Sequence, residues 1–446
     1  MINIPKNVSE IIESLEAAGY EAYAVGGCVR DSLMGRDVSD WDITTDARPE
    51  EIKAVFNRRT VLPTGVKHGT VSLMLKGVAY EITTYRVDGL YSDGRRPDKV
   101  SFTKELREDL SRRDFTINAM AYNPRTGLVD PFGGVLDIRR RIVRCVGSPE
   151  ERFGEDYLRM MRAYRFAAVL DFDLEKSIRT AVLANRDNIQ NIAAERIRIE
   201  FDKLALCDAH DRFLMFMEDL GQVIFPEVHR LKDVRQVNAY HNLSVYNHTM
   251  EVFRHAERDL TQKLCALFHD IGKADTIIYG ENGVTKFTGH AEVSGDMAFD
   301  ILKRLKYDNA RIKDVITIIR AHNVYKQLTI YGMKRRLLRT GSDLTRQLYR
   351  FAVADCSGKS PTAKNTLLPM LLANIDLIEK VENSGDPIFL RDLALNGKDV
   401  EGEGFKGRAV GEALSFLLDK VHKNPRLNRR EILIGLLKDF TYCSND

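Results

Sequence analysis

Cysteine is scarce and scattered in this chain: six in 446 residues, at positions 28, 145, 207, 265, 356 and 443, with no C-x-x-C pair. That excludes a zinc ribbon and leaves no disulfide framework to read. Long apolar runs are missing too. No stretch approaches the roughly 20 apolar residues of a membrane span. The opening MINIPKNVSEIIESLEAAGYEAYAVGG reads as an amphipathic helix feeding a strand, without the apolar core of a signal peptide. Reduced cytoplasm is the expected setting. An excess of one charge is also absent, since the formal net charge of +3 does not by itself announce nucleic acid. Basic residues do cluster at Arg139–Arg141, Lys334–Arg336 and Arg426 with Arg429–Arg430, but each cluster alone reads as a solvated helix face. What remains is an ordinary globular balance, 44% hydrophobic and 29% charged, with length enough for two to four domains.

The informative stretch is AVGGCVRDSLMGRDVSDWDITT, from Ala24 to Thr45. Gly26-Gly27 lets backbone approach a ligand closely. The helix expected next has Val29, Leu33 and Met34 on its apolar side and stops at Gly35; its start suits a triphosphate. Asp40-Trp41-Asp42-Ile43 reads as a strand, with both carboxylates on one face and Trp41 and Ile43 buried on the other. Two adjacent carboxylates repel unless cations separate them, and a pair of Mg²⁺ ions bridging a triphosphate gives them a use. Together with Gly-Gly-x-Val-Arg-Asp, this segment resembles the active-site signature of polymerase-β-like nucleotidyltransferases. The resemblance is to the class II tRNA CCA-adding enzymes and their bacterial poly(A) polymerase relatives.

Through residue 140 short strands and helices alternate, which predicts a small α/β head with strands at Ala22–Val25, Asp40–Thr44, Val71–Leu75 and Ala79–Arg86. Helices are expected at Ser9–Ala18 and Pro49–Phe56, and Pro63–Thr70 reads as a glycine-rich turn. In AYEITTYR, Glu81 either faces the cleft as a third carboxylate or makes a surface ion pair; the resemblance implies the former. Asp88–Pro97 is too polar and glycine-rich for regular structure. It resembles the family's flexible loop, which implies full CCA or A addition. Next comes Arg112-Arg113-Asp114-Phe-Thr-Ile-Asn118, matching the family's second motif. Arg112 and Arg113 offer guanidinium forks for triphosphate oxygens, and Asp114 can accept from a ribose hydroxyl, with Asn118 one turn later on the same helical face. Arg30 joins this nucleotide-binding set through the first signature. Asp130, in the turn Val129–Gly134, reads as a structural brace.

Residues 141–225 are expected to form a helical neck and body. Within them Phe153-Gly-Glu155-Asp156-Tyr-Leu-Arg159-Met-Met-Arg162 matches the family's fourth motif. Asp156 and Arg159 stand at i and i+3, which predicts one helical face. Asp only accepts and Arg only donates. Cytosine and adenine share an amine donor beside a ring-nitrogen acceptor, so the pair would take C or A and reject U and G. The rival is an intrahelical salt bridge. Arg162 belongs to the same nucleotide-facing set, and Glu155 to its support. Glu195-Arg196, on a further helix, resembles a motif that braces the neck against the base-selecting helix.

From 226 to 362 the chemistry changes. His248, His269-Asp270 and Asp355 give an H…HD…D order, with His290 and His322 between. Imidazoles and carboxylates together suit a divalent metal, and the H-D-I-G-K context resembles the HD phosphohydrolase superfamily. His229, His241 and His255 read as ordinary core or surface residues. Residues 363–446 are expected to be a helical tail resembling the part of CCA-adding enzymes that cradles the tRNA acceptor arm.

The fold expected is therefore α+β: an α/β head at 1–140 followed by all-helical regions. The function expected is CCA addition to tRNA from CTP and ATP with Mg²⁺. A-only addition, poly(A) polymerisation and an HD phosphohydrolase or 2′,3′-cyclic phosphodiesterase are the competing expectations.

Overall fold

The computed structural model describes residues 2–89, 100–237, 243–280 and 284–440. They divide into two compact units, Met1–Pro226 and Glu227–Asp446.

The first unit begins with α1 (Lys6–Ala17), whose Val8, Ile11, Ile12 and Leu15 recur at helical spacing and are fully buried. They pack with Ile43, Val71, Leu73 and Ile82, which come from the sheet. That sheet contains β1 (Ala22–Val25), β2 (Ile43–Thr45), β3 (Val61–Gly65), β4 (Thr70–Leu75), β5 (Val78–Thr84), β8 (Ala121–Asn123) and β9 (Gly127–Val129), in the order β3-β4-β5-β2-β1-β8-β9. Only β2 and β5 run parallel; the other neighbours are antiparallel. α2 (Gly27–Leu33) follows β1 and α3 (Pro49–Val55) follows β2. A separate ribbon, β6 (Arg86–Asp88) with β7 (Val100–Phe102), pairs Arg86 with Phe102, and α4 (Leu106–Ser111) follows it.

Three expectations for the head need correction. The strand carrying the carboxylates starts at Ile43, so Asp40, Trp41 and Asp42 form an extended approach to it, with Trp41 half-buried. The expected turn at Pro63–Thr70 is largely the end of β3 and a single 3₁₀ turn, Val66–His68. Strands β8 and β9 were not anticipated. The glycine-rich loop expected at Asp88–Pro97 lies outside the described residues from Leu90 onward.

The rest of the unit is mostly helical: α5 (Gly134–Arg140), α6 (Pro149–Glu155), α7 (Leu158–Leu170), α8 (Lys176–Asn185) and α9 (Ala194–Ala205). It is not wholly so, because Ile142–Val143 pairs in parallel with Asp173–Leu174. Asp130 braces this region as expected: its two oxygens accept from Gly134 N–H at 2.7 Å and Val135 N–H at 2.9 Å, capping α5.

In the second unit, the helices Val245–His255, Leu260–Phe268, His290–Arg304, Asn309–Ala321 and Ser342–Ser357 carry or flank the histidines and aspartates. A two-stranded ribbon, Ile277–Tyr279 with Thr285–Phe287, interrupts what was expected to be all helix. Towards the end, Arg408–Lys423 and Arg430–Leu437 enclose a small core of Leu395, Val400, Leu417, Val421 and Leu433.

Candidate active site and a second histidine–aspartate centre

Gly26 closes β1 at φ +83°, a conformation that favours glycine. A Cβ there would lie 2.9 Å from Arg113 Nη1, so the turn and the guanidinium occupy adjoining space. Its N–H is already used, donating to the Met120 carbonyl at 3.1 Å. The helix behind it is also less apolar than expected: Val29 is buried, but Leu33 is exposed.

Asp40 and Asp42 are both open to solvent. β2 and β5 pair Ile43 with Ile82 in parallel, which places Glu81 level with Asp42 on the neighbouring strand. Glu81 is exposed at that level, and of its two readings the cleft-facing one fits the register. The electrostatics agree. Desolvation raises the Asp42 carboxyl above its ordinary value; Arg113 opposes this, while Glu81 and Asp40 add to it. Three carboxylates with one guanidinium in electrostatic reach of Asp42 make a centre that a divalent cation would relieve.

The Arg112-Arg113 pair is organised by a residue to which no role was given from sequence. Asp109, fully buried, accepts from Arg112 Nε at 3.0 Å and Nη2 at 2.7 Å, and lies 3.6 Å from Arg113 Nη2. Burial alone would raise its carboxyl, but Arg112 and Arg113 outweigh this and hold it below the usual range. Arg112 is therefore committed to Asp109, contrary to the expectation that both forks are free. Asp114 also departs from expectation. Its Oδ1 accepts from Phe115 N–H and Asn118 Nδ2, and its Oδ2 from Arg162 Nε and Nη2, which fills the acceptor sites a ribose hydroxyl would need. Asn118 reaches it from a 3₁₀ turn, Thr116–Asn118, rather than from an α-helix. Arg30, 7% exposed, is held by Asn118 and Asp31 beside the Phe166 ring.

Asp156 and Arg159 do not share a helix. α6 ends at Glu155, Asp156 is extended (φ −145°, ψ 105°), and α7 starts at Leu158. The two are held separately. Arg196 Nη2 donates to Asp156 Oδ2 at 2.8 Å, while Arg159 pairs with Glu155 and donates to the carbonyls of Arg152 and Arg112. The expected brace is thus Arg196, whereas Glu195 is exposed. A second missed residue is Glu200, 6% exposed, which accepts from Arg165 at 2.8 Å and lies 3.6 Å from Arg162. Nothing in its local pattern distinguishes it from a surface glutamate; its partners lie on α7.

The second unit gathers all six expected residues. His248, His269 and Asp270 form one potential ligand group and Asp270, His290 and His322 another. Asp355 joins the first, 3.0 Å from His248 Nε2. Every one of the four imidazoles directs Nδ1 to a backbone carbonyl: Gly358, Ala266, Phe287 and Ile319 in turn. That arrangement fixes the tautomer with Nδ1 as donor and leaves each Nε2 lone pair facing inward. His248 and His269 approach at 3.4 Å and His290 and His322 at 3.3 Å through these nitrogens. Both Asp270 oxygens and Asp355 Oδ1 are buried without a hydrogen bond, although Lys273 and Lys359 stand within ion-pair range. Burial holds His248 and His290 below the ordinary imidazole value and His322 down to about 3, which keeps them neutral, as ligation requires. For His269, burial is outweighed by Asp270, and its value rises. A metal fits this donor set. A cavity of about 320 Å³, lined by Lys273, Lys286, Lys359, Asn323 and members of the cluster, opens onto it. Tyr325, whose hydroxyl donates to Asp355, is a third residue that sequence did not reveal.

Comparisons with known proteins agree with this layout. The family described as "Poly A polymerase head domain" matches residues 22–144. "Probable RNA and SrmB- binding site of polymerase A" matches 171–232, and "HD domain" matches 238–376. A CCA-adding enzyme of Lactobacillus delbrueckii subsp. bulgaricus is 52% identical over 196 residues, 44% of this chain and 49% of that protein. One from Anoxybacillus flavithermus is 50% identical over the same length and shares. The chain thus aligns with about half the length of these curated relatives. The crystal structure of a Bacillus stearothermophilus CCA-adding enzyme in complex with CTP is similar over 97% of this chain and 96% of its own, at TM-score 0.72 and 28% identity. A Thermotoga maritima CCA-adding enzyme complexed with tRNA shares the fold over 98% and 96%, at TM-score 0.58 and 20% identity. Among the described residues, no helix is long and apolar enough to cross a membrane.

Proposed function

We infer, from the similarity of this chain to CCA-adding enzymes and to the poly(A) polymerase head domain, that it adds CCA to the 3′ end of tRNA from CTP and ATP in the cytoplasm. The observation that carries this is the acidic centre: Glu81 level with Asp42, Asp40 beside them, and Arg113 against Gly26. Asp40, Asp42 and Glu81 would hold Mg²⁺, whose chemistry is to screen the triphosphate and to acidify the attacking hydroxyl. Arg113 supplies donors to phosphate oxygens. Asp114, saturated by Phe115, Asn118 and Arg162, ties the phosphate-binding segment to α7. Asp156 and Arg159 read the base, each oriented by its own partner: Asp156 accepts from the exocyclic amine that cytosine and adenine share, and Arg159 donates to the adjoining ring nitrogen. The tail is assigned to the tRNA acceptor arm.

The test is incorporation of CTP and ATP, separately and together, into tRNA transcripts ending at the discriminator base, at C and at CC. Addition of C, C and A to the shortest transcript supports CCA addition. Addition of A alone, and only after CC, makes this an A-adding enzyme with a CC-adding partner; a run of A makes it a poly(A) polymerase. Asp40→Ala is expected to abolish every incorporation.

The convergent imidazoles favour a second activity, metal-dependent phosphoester hydrolysis at the His/Asp centre. Four imidazole nitrogens suit a transition ion better than Mg²⁺. Hydrolysis of a phosphoester that is lost in His269→Ala and kept in Asp40→Ala would support it; no hydrolysis by the metal-loaded wild type would make the centre structural.

A further inference from the structure

Arg113 stands among several carboxylates. Asp109 Oδ2 lies 3.6 Å from its Nη2, and Asp42 and Asp114 are close enough to influence it electrostatically. Its side chain is not fully tied down, since Nε finds no hydrogen-bond partner among the described residues. Arg112, by contrast, is fixed, with two donors on Asp109 and Asp88 at 3.9 Å. Asp109 is itself anchored on several sides. Thr44 Oγ1 donates to Oδ2 at 3.3 Å, and the Arg86 N–H reaches Oδ1 at 3.4 Å. Thr44 is two residues past Asp42, so a single buried carboxylate joins the two arginines to the strand that follows the acidic centre.

We propose that Asp109 is a positioning residue for nucleotidyl transfer: it holds Arg113 away from Asp42, leaving the guanidinium for the triphosphate and the carboxylate for the metal. This rests on the nucleotidyltransferase reading above. A buried guanidinium needs a counter-charge. With Asp109 neutralised, the other carboxylates in reach are Asp42 and Asp114, and Asp114 is already saturated by Phe115, Asn118 and Arg162, which leaves Asp42. An Arg113–Asp42 ion pair would block both partners, coupling weaker nucleotide binding to a higher metal requirement. A purely architectural role for Asp109 predicts lower stability and a smaller active fraction, without that coupling.

The experiment is equilibrium binding of CTP to the full chain across a Mg²⁺ titration, for wild type, Asp109→Asn, Arg113→Ala and the double variant. Asp109→Asn is expected to weaken CTP binding about tenfold and to move the Mg²⁺ midpoint upward severalfold. In the Arg113→Ala background the Mg²⁺ shift disappears, because the competing guanidinium is gone. An unchanged midpoint in Asp109→Asn, or the same shift with Arg113 absent, overturns the proposal. Should Asp109→Asn fail to fold, Thr44→Val loosens the same carboxylate. It is expected to move the midpoint in the same direction by a smaller factor, and no movement overturns the proposal. A wild type that binds neither CTP nor Mg²⁺ overturns the nucleotidyltransferase reading and this one with it. Binding by wild type that Asp109→Asn matches overturns this one alone.

Discussion

Asp42 is the carboxylate of the acidic centre whose charge its surroundings disfavour. Its carboxyl is raised first by desolvation, with Glu81 and Asp40 adding to the effect against Arg113. A carboxylate whose folded-state pKa exceeds its unfolded one binds more protons when folded. It therefore costs stability as pH rises through the folded value. A divalent cation cancels that cost only where the group is ionised. Mg²⁺ is thus expected to raise the melting temperature more at pH 8 than at the ordinary carboxyl value near pH 4, as differential scanning fluorimetry would read, and Asp42→Asn to remove most of the difference. Equal Mg²⁺ effects at both pH values would place the cation elsewhere. Gly358 provides a second test at this scale. A Cβ there would come within 2.6 Å of His248 Nδ1, the atom its carbonyl orients, so Gly358→Ala must turn the ring. Loss of such an orienting contact typically costs about 10–100-fold in metal affinity; isothermal titration with Zn²⁺ would measure it. The residues gathered at the two candidate centres, such as Asp40, Asp42 and the six HD-type residues, stood out in the sequence because few other uses bring those types together. Asp109 and Glu200 were not. Glu200 acts through Arg165, 35 residues away, whereas Asp109 lies three and four residues from its arginines and reads as a helix-surface ion pair until its burial and its contact with Thr44 are seen.

At the scale of elements, the misreadings share one cause: local period was trusted where a boundary intervened. Asp156 and Arg159 have i, i+3 spacing, yet Asp156 is extended and its Oδ1 caps the next helix, accepting from Leu158 N–H at 3.0 Å. Helix spacing says nothing across such a break. The break is useful, because it turns Asp156 towards Arg196 instead of Arg159. The turn expected at Pro63–Thr70 was likewise read locally, from its glycines, where a strand intervened; Pro63 is tolerated in β3 because that strand lies at the sheet's edge. The helix junction carries its own prediction. Arg196→Met leaves Asp156 free to rotate, so selectivity against UTP and GTP is expected to fall while the fold persists. The pair is partly exposed, which limits the effect to about tenfold or less in relative kcat/KM. Single-nucleotide incorporation from each of the four triphosphates would read it. Unchanged selectivity would mean that Asp156 is held by its capping role alone, or that it does not face the base.

At the scale of the whole chain, the two centres offer ions different donors. The head presents carboxylate oxygens from Asp40, Asp42 and Glu81, which suit a hard cation. The second unit presents inward Nε2 atoms of four histidines around Asp270 and Asp355. Imidazole-rich sets favour the later first-row ions by affinity. The centres should therefore separate by chelation. Treatment with a chelator selective for transition ions, at saturating Mg²⁺, is expected to strip metal from the purified protein without reducing CTP incorporation. Elemental analysis would read the first effect and a primer-extension assay the second. His269→Ala should match the chelated wild type on both counts, since it removes an inward nitrogen that neighbours His248, Asp270 and Asp355. If chelation abolished incorporation and Mg²⁺ failed to restore it, the head would need a softer ion than its oxygen donors imply. If His269→Ala retained its full metal content, the inward nitrogens would be a packing arrangement, and the order H…HD…D would mark ancestry without a working site.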